Sequence, residues 1–174
     1  MARFARVENG AIAYFVERDT LEPDYLPIEI VGDGSAETAA VVGNVVRITR
    51  SQPAPTSNDV NRERDRRLRQ FVFNGVIYDF VDDRGSAENI AGAATLALAA
   101  IISGAGAGNY RWADAAQDFV WIAADNSSVI MDATTCLDFG KHAADWKARH
   151  ICAARALKNL EIIPADYAAD MRWP

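Results

Sequence analysis

The residues best suited to chemistry are two histidines, two cysteines, a group of aspartates and a cluster of arginines. His142 and His150 are the only histidines of the chain. They are eight positions apart in a stretch with helical periodicity, about 12 Å, whereas two histidines that share a metal ion on one helix need a spacing of four. A nucleophilic site would need partners beside them; His142 lies near Asp138 and Asp145 at helical spacings, whereas His150 falls on an apolar seam. We therefore predict structural roles for both.

The two cysteines do not form a recognisable reactive pair. Cys136 and Cys152 fall on the same predicted helix, roughly 24 Å apart at 1.5 Å per residue, which is too far for a disulfide. Arg149 and Arg155 lie near Cys152 and could lower the pKa of its thiol, but nothing else of a thiol enzyme's active site is visible. We predict two reduced, packed thiols.

Four carboxylates could belong to a glycan-cleaving site, which needs two carboxylates on either side of a sugar. They are Asp114, Asp118, Asp125 and Asp132. Positions beside Asn, Ser and Thr, as at Asp125 and Asp132, favour roles in turns and helix caps. A domain of about 100 residues also has little room for a sugar-binding groove. A small glycan-acting enzyme is kept as an alternative.

The arginine cluster could bind an oxyanion such as a phosphate or a lipopolysaccharide, because guanidinium groups bind these bidentately. It comprises Arg62, Arg64, Arg66, Arg67 and Arg69, interleaved with Glu63 and Asp65. The favoured interpretation is an exposed helix with ion pairs three and four residues apart. Gly104–Gly108 lacks the lysine of a phosphate-binding loop and follows a helix, so it is interpreted as a flexible connector. We predict no catalytic, cofactor-binding or metal-binding residues.

Composition narrows the class of protein. The chain has 174 residues, half of them apolar, and a net charge of −6. This charge argues against a general nucleic-acid binder, because such affinity comes mainly from neutralised phosphates. No run of about 18 apolar residues and no basic-then-apolar leader is present, so we expect no membrane insertion and folding in a cytoplasm.

The N-terminal part, residues 1–50, is predicted to be a small β-rich module. Apolar and polar residues partly alternate over Arg3–Val16 around Asn9-Gly10, a pair that favours a type I′ hairpin turn. Two further β-branched runs, Ile28–Val31 and Val41–Thr49, follow. Residues 51–59 contain Pro53 and Pro55 among small polar residues, which predicts an extended linker.

The C-terminal part, residues 60–163, is predicted to contain two hairpins and two or three helices, followed by a tail over residues 164–174. The predicted elements are a helix over Asn61–Gln70, a hairpin over Phe71–Val81 around Asn74-Gly75, a helix with Ser86 as N-cap that runs to about Ser103, a hairpin formed by Phe119–Ile122 and Ser128–Met131 around Asp125-Asn126, and a helix over about Thr135–Leu160. The whole chain is therefore predicted to be an α+β protein.

The last helix carries one continuous apolar seam. Its residues are Cys136, Phe139, Ala143, Trp146, His150, Ala153, Leu157 and Leu160, at alternating steps of three and four. Together with the four tryptophans, this surface exceeds what one small helical layer readily covers, so a homo-oligomer is expected, with a trimer as one candidate. Trp121 is predicted to be a core anchor that meets this helix through Trp146 and His150.

The order of these signals resembles a small domain of unknown function found in tail-fibre, tail-tip and tail-fibre-assembly proteins of tailed bacteriophages. The resemblance covers about residues 60–163 and is looser over Gly104–Phe119. The residues that carry it are Arg66-Arg67-Leu68, Phe73-Asn74-Gly75, Phe80, Asp82, Ser86, Trp121, Asp125-Asn126 and Val129-Ile130-Met131 followed by Asp132.

This resemblance implies a structural protein of a phage or phage-like tail, at the tip, baseplate or fibre, that acts by protein–protein contacts in host attachment or tail assembly. Its expected partners are other tail proteins, such as fibre, hub or baseplate subunits, with a host surface glycan as a further candidate. The expected location is the virion, after synthesis in the host cytoplasm. A tail-fibre assembly chaperone is the first alternative, and a small glycan-acting tail enzyme is the second. The resemblance supplies no catalytic residues.

Overall fold

A computed structural model describes all 174 residues of the chain. The chain divides into two compact units, Met1–Ala54 and Pro55–Pro174. The first unit is a single β-sheet, and the second combines three helices with two small hairpins. The α+β class predicted from the sequence is confirmed.

The first unit is a five-stranded curled sheet. Its strands are β1 (Ala2–Glu8), β2 (Ala11–Arg18), β3 (Tyr25–Val31), β4 (Ala36–Val42) and β5 (Val45–Ser51), in the spatial order β2-β1-β3-β5-β4. Strands β3 and β5 are parallel, and every other pairing is antiparallel. The sheet curls around a small core of Phe4, Ala5, Tyr25, Val46 and Ile48.

Turn chemistry explains both hairpins of this unit. Asn9 and Gly10 have φ values of 52° and 77°, as the predicted type I′ turn requires. The prediction of one strand over Val41–Thr49 is wrong, because this run splits into β4 and β5 at Gly43, whose φ is 60°. A glycine with positive φ at the first central position is typical of a type II′ hairpin turn.

The second unit begins with α1 (Ser57–Arg67) and ends with a short 3-10 turn. Between them lie β6 (Gln70–Phe73), β7 (Val76–Asp79), α2 (Ser86–Ile102), β8 (Val120–Ile122), β9 (Ser128–Ile130) and α3 (Ala133–Lys158). The predicted hairpins at Asn74-Gly75 and Asp125-Asn126 are both present as β6–β7 and β8–β9.

The extended connection between the units is shorter than the predicted linker over residues 51–59. Ser51 ends β5, and α1 already begins at Ser57. Thr56 and Asp59 form a capping box: the Thr56 hydroxyl accepts from the Asp59 amide, and the Asp59 carboxylate accepts from the Thr56 amide at 2.7 Å. This reciprocal cap provides hydrogen-bond acceptors for two backbone amides. The helix therefore starts among small polar residues, whose composition had predicted a linker.

The core of the second unit lies between the hairpins and the helix pair α2–α3. Phe139 of α3 is 0% exposed, and its ring centroid lies 5.3 Å from Phe71, 4.7 Å from Tyr78 and 5.3 Å from Trp121. The predicted contact of Trp121 with Trp146 and His150 is wrong, because Trp121 meets α3 near its start, whereas those two residues lie toward the middle of the helix.

Helices α2 and α3 cross at very close range. A Cβ atom on Gly140 of α3 would lie only 2.3 Å from the Cβ of Ala94 in α2. No side chain other than hydrogen fits at position 140 without movement of one helix. The two small residues thus bring the helices together over the core.

The apolar seam of α3 is covered within the chain itself. Cys136, Phe139, Ala143, His150 and Leu157 are all buried, and Leu160 lies beyond the end of α3 and is exposed. The seam therefore gives no reason to expect an oligomer, since its burial within one chain accounts for the pattern.

The last eleven residues do not form the predicted separate tail over 164–174. Trp173 is buried against Val60 of α1 and Ala154 and Leu157 of α3. Its indole nitrogen donates to the carbonyl oxygen of Tyr167 at 2.8 Å. A single large aromatic side chain thus joins the C-terminal segment to the second unit.

Candidate functional site

Four residues of the arginine cluster line a groove of the second unit, which we call the arginine groove. This groove has a volume of about 1130 Å³ and lies between the end of α1 and the loop after β7. Its charged lining comprises Arg62, Arg66, Arg67, Arg69 and Arg84 together with Asp65, Asp79, Asp82 and Asp83. Arg64 lies outside it and pairs with Asp65 at 2.7 Å.

Most of the groove's arginines are already paired within the chain. Arg66 binds Glu63 through two nitrogens, at 2.8 and 2.6 Å, and Arg67 also reaches Glu63, at 2.7 Å. Arg84 contacts Asp79 at 2.7 Å, and Arg62 pairs with Asp59. The pairs within α1 that involve Glu63 have the predicted spacing of three and four residues, whereas Asp65 pairs with the adjacent Arg64.

The shared carboxylate of Glu63 holds two arginines at once. Hydrogen bonds from Arg66, and then from Arg67, lower the pKa of Glu63 below its usual value. Arg67 continues to the C-terminal segment, where it donates to the carbonyl of Ala168 at 2.9 Å and to Asp170 at 2.8 Å. Its role in this structure is to tie α1 to the end of the chain.

Arg69 is the one arginine of the groove without an ion-pair partner. An oxyanion that entered the groove would meet its free guanidinium but also four aspartates. Repulsion by these carboxylates opposes an anion, and the paired arginines would have to give up existing hydrogen bonds. The geometry therefore favours a structural role for the arginine cluster.

The start of α2 differs from the prediction that Ser86 is its N-cap. Gly85, with φ of 72°, occupies the cap position, and Asp82 supplies the capping carboxylate. Asp82 accepts from the Ser86 amide at 3.0 Å and from the Ser86 hydroxyl at 2.6 Å. These bonds, with help from Arg84, lower the pKa of Asp82 to about 2. Asp82, four residues before Ser86, therefore caps the start of α2 in place of the predicted serine.

The four aspartates weighed as sugar-cleaving residues are engaged in local contacts. Asp114 and Asp125 each accept from the amide two residues ahead, at 2.8 and 2.9 Å. Asp118 pairs with Arg111 at 3.2 Å, and Asp132 caps α3 through the Thr135 amide at 2.7 Å. Asp132 also accepts from the Gly108 amide at 2.8 Å, which fixes the glycine-rich connector to the start of α3.

His142 and the cysteines lie in unrelated surroundings. The ring of His142 stacks on Phe71 and lies tilted against Phe73, at 6.0 and 5.6 Å between ring centroids. Cys136 is buried, and burial raises the pKa of its thiol to about 11. Cys152 is exposed, so the prediction that both thiols are packed is wrong for this residue. It lies on the outer side of α3, one position off the apolar seam.

His150 is a buried histidine, 1% exposed, between two tryptophans. Its Nδ1 lies 2.9 Å from the carbonyl oxygen of Trp146, which can only accept, so Nδ1 carries the proton in the neutral ring. The other nitrogen, Nε2, is buried without a partner, as is the indole nitrogen of Trp146. The ring of Trp173 also stacks on His150, at 6.1 Å between ring centroids. Desolvation, with a smaller contribution from Arg67 and Arg149, lowers the pKa of His150.

Stability should therefore fall as the pH drops below about 6.5, the ordinary pKa of histidine. The folded chain keeps His150 neutral while the unfolded chain takes up a proton, so acid favours unfolding. Urea unfolding between pH 7.5 and 5 measures this slope, and His150→Gln should remove most of it. His142→Gln is the matched control and should keep it. An equal slope in wild type and His150→Gln would contradict the assignment.

The surface that the sequence patterns missed is the outer side of α2. Ala91, Thr95, Leu98 and Ile102 are all exposed there, whereas Ile90, Ala93 and Ala97 of the same helix face the core. Leu98 is 45% exposed and Ile102 is 78% exposed. One signal could have revealed it: no charged residue occurs from Asn89 to Tyr110. We call this surface the α2 face.

After Glu88 in its first turn, α2 carries no charged residue, whereas a surface helix normally carries charged or polar residues toward water. The α2 face has no such residues beyond Thr95, whose hydroxyl donates within the helix to the carbonyl of Ala91 at 2.9 Å. That bond satisfies the hydroxyl and leaves the rest of the side chain to pack. The α2 face therefore has the character of a contact surface.

No group of three or more His, Cys, Asp or Glu side chains is placed to hold a metal ion. None of the helices combines the length and the apolar character needed to cross a membrane.

Comparison with known proteins places the second unit in a family. Residues 51–171 match the model of a domain of unknown function, DUF4376. No curated protein and no solved structure matches the chain. The family match spans more than two thirds of the sequence and includes every helix of the second unit. The protein therefore belongs to the DUF4376 family, which is defined without an assigned activity.

Proposed function

We propose that this protein is a structural component of the tail of a bacteriophage or phage-like particle, at the tail tip, baseplate or fibre, that acts through protein–protein contacts. Two lines of reasoning support the proposal. The α2 face presents uncharged, exposed apolar residues of the kind that partner proteins cover. The place in a tail rests on the resemblance over residues 60–163, which lies inside the matched family domain.

The α2 face is the observation that carries the contact role. Leu98 and Ile102 of this face expose large apolar side chains four residues apart on one helix, without an intervening charge. Scattered exposed apolar residues are common, but a contiguous patch on one helix marks an interaction surface. The groove and the aspartates are engaged by internal ion pairs and caps, so they offer less to a ligand.

Mass spectrometry of purified particles tests the place in the virion. We expect the chain in gradient-purified particles at a fixed ratio to the tail-tube protein, and we expect its loss to lower the number of tails that carry fibres or complete tips. Particles from a strain with the gene deleted, and from the same strain with the gene restored, serve as paired controls.

The other two candidate roles give different results in the same experiment. A chain that binds fibre protein in lysates but is absent from finished particles would be an assembly chaperone. Release of reducing sugar from host envelope by the purified chain, abolished by Asp118→Asn or Asp125→Asn, would identify a glycan-acting enzyme. Either result would overturn the structural role in the virion.

A further inference from the structure

Arg67 and Trp173 attach the C-terminal segment, residues 164–174, to the helices of the second unit. The Arg67 guanidinium of α1 donates to the carbonyl oxygen of Ala168 at 2.9 Å and to the carboxylate of Asp170 at 2.8 Å. The side chain of Trp173 is buried against α1 and α3. The two attachments also touch each other, since the guanidinium carbon of Arg67 lies 5.3 Å from the centroid of the Trp173 ring. Loss of one attachment therefore loosens the other.

His150 of α3 is the buried titratable side chain in contact with Trp173. Its ring centroid lies 6.1 Å from that of Trp173 and 4.1 Å from that of Trp146. Since His150 is 1% exposed, water reaches it only when a neighbour moves. Trp146 belongs to the same helix, one turn earlier, so Trp173 is the aromatic neighbour that can leave without unfolding α3.

A second proton on His150 has no acceptor while the segment is attached. Nδ1 already donates its proton to the carbonyl oxygen of Trp146 at 2.9 Å, so the added proton goes to Nε2, which is buried without a partner. The indole nitrogen of Trp146, also unpaired, can only donate. The indole rings attract a cation but offer no acceptor atom to an N–H group. A charged, buried and unpaired donor is strongly unfavourable.

The charged groups on the elements around His150 do not offset this cost. Desolvation lowers the pKa of His150 most, and the positive charges of Arg67 on α1 and Arg149 on α3 lower it further. Carboxylates on α1, α3 and the C-terminal segment are already bound to arginines: Glu63 and Asp170 to Arg67, Asp145 to Arg149, and Asp166 to Arg172. They are therefore not free to pair with a protonated His150.

We propose that the C-terminal segment is a pH-sensitive latch, which detaches from α1 and α3 when His150 takes up a proton. Departure of Trp173 opens the imidazole to water, which then accepts from the Nε2 proton. It also uncovers the apolar surface formed by Val60, Ala154 and Leu157. Acid thus exposes a surface that is closed at neutral pH.

The packing of the second unit allows this opening to be local. The residues that Trp173 touches form a cluster of their own, separate from the larger core around Phe139. Detachment of the segment leaves that larger core intact, so it costs less free energy than unfolding of the whole unit. The latch therefore opens before the hairpins and α2 unfold.

The sign and the size of the effect follow from the uptake of one proton. The attached state keeps His150 neutral, whereas the detached state has the ordinary histidine pKa of about 6.5, so the fraction detached rises as the pH falls through about 6.5. One proton changes the opening equilibrium by at most about tenfold for each pH unit. Between pH 7.5 and pH 5.5 we expect an increase of about three- to tenfold.

Hydrogen–deuterium exchange of the full chain, read peptide by peptide by mass spectrometry, tests the latch at pH 7.5 and pH 5.5. Four backbone amides of the segment donate to carbonyls within it, in turns too short to persist once detached: Tyr167, Ala169, Arg172 and Trp173. After correction for the intrinsic effect of pH on exchange, their protection should fall by about three- to tenfold at pH 5.5. Peptides from α2 and from the hairpin β6–β7 should keep their protection.

His150→Gln cannot be protonated and should make the protection of the segment independent of pH, whereas the matched control His142→Gln should behave as the wild type. If thermal melts show that His150→Gln is unfolded, Trp173→Ala replaces it and should give a weakly protected segment at both pH values.

The latch is overturned if the wild-type segment is equally protected at both pH values, or if α2 loses protection to the same extent as the segment. It is also overturned if the pH dependence persists in folded His150→Gln or in Trp173→Ala. These measurements use the isolated chain, so the proposed tail function stands or falls separately.

Discussion

Phe139→Ala is expected to remove most of the stability of the second unit. Phe139 is fully buried, and its ring touches both strands of the first hairpin of that unit as well as Trp121. Loss of a buried Phe typically costs about 3–5 kcal/mol, a large part of the ~5–15 kcal/mol that holds a domain folded. Urea unfolding followed by tryptophan fluorescence measures the change.

Two other substitutions decide whether Phe139 is the centre of the core. Trp121→Ala should cost less than Phe139→Ala, because Trp121 is only partly buried and packs at the edge of the same cluster. Phe139→Leu retains most of the volume and should cost less than about 1.5 kcal/mol. If Trp121→Ala lowers the free energy of unfolding more than Phe139→Ala does, then Trp121, as predicted from the sequence, is the main anchor of the core.

The sequence predicts the hairpins well because their turns depend on two adjacent residues. Asn9-Gly10 and Asn74-Gly75 all have positive φ, which Asn and Gly adopt at little cost. The position of β5 between β3 and β4 could not be predicted in this way. It depends on pairings between residues far apart in the chain, such as Ile30 with Ile48.

Helix ends were harder to predict, because polar residues serve linkers and caps alike. Thr56 and Asp59 looked like part of a flexible linker, yet together they start α1. At α2 the predicted cap is Ser86, but the capping carboxylate belongs to Asp82, four residues earlier, which accepts a hydrogen bond from the Ser86 amide. In both places polar side chains take part in the helix start, but only the folded backbone decides which of them acts as the cap.

The candidate surface shows a limit of periodicity. Polar residues flank the seam of α3 and make it visible in the sequence, but periodicity does not say what covers an apolar stripe. The hairpins, α1, α2 and Trp173 cover this one. Apolar residues occur on every side of α2, so the sequence pattern does not distinguish its exposed side from its buried side. Only the placement of Ile90 and Ala97 against the core separates the two sides of that helix.

Gly140→Ala is expected to destabilise the second unit although alanine is the better helix former. The added Cβ would lie 2.3 Å from the Cβ of Ala94, whereas carbon atoms in contact are about 3.5–4.0 Å apart. A Cβ cannot rotate away, so α2 and α3 must separate and loosen the core beneath. Overpacking of this kind costs about 1–3 kcal/mol, against the ~1 kcal/mol that Gly→Ala gains in an open helix.

The opposing residue provides the decisive test of this crossing. Ala94→Gly alone should cost about 1 kcal/mol in helix propensity, but in the Gly140→Ala chain it vacates the space that the new methyl group needs. The double variant should then be more stable than the sum of the two single changes predicts, a coupling that urea unfolding of all four chains at one protein concentration measures. Gly92→Ala, on the open side of α2, is the control and should raise the stability by about 0.5–1 kcal/mol. Additive effects of the two single changes, or a Gly140→Ala chain as stable as Gly92→Ala, would mean that α2 and α3 are not in contact at Gly140.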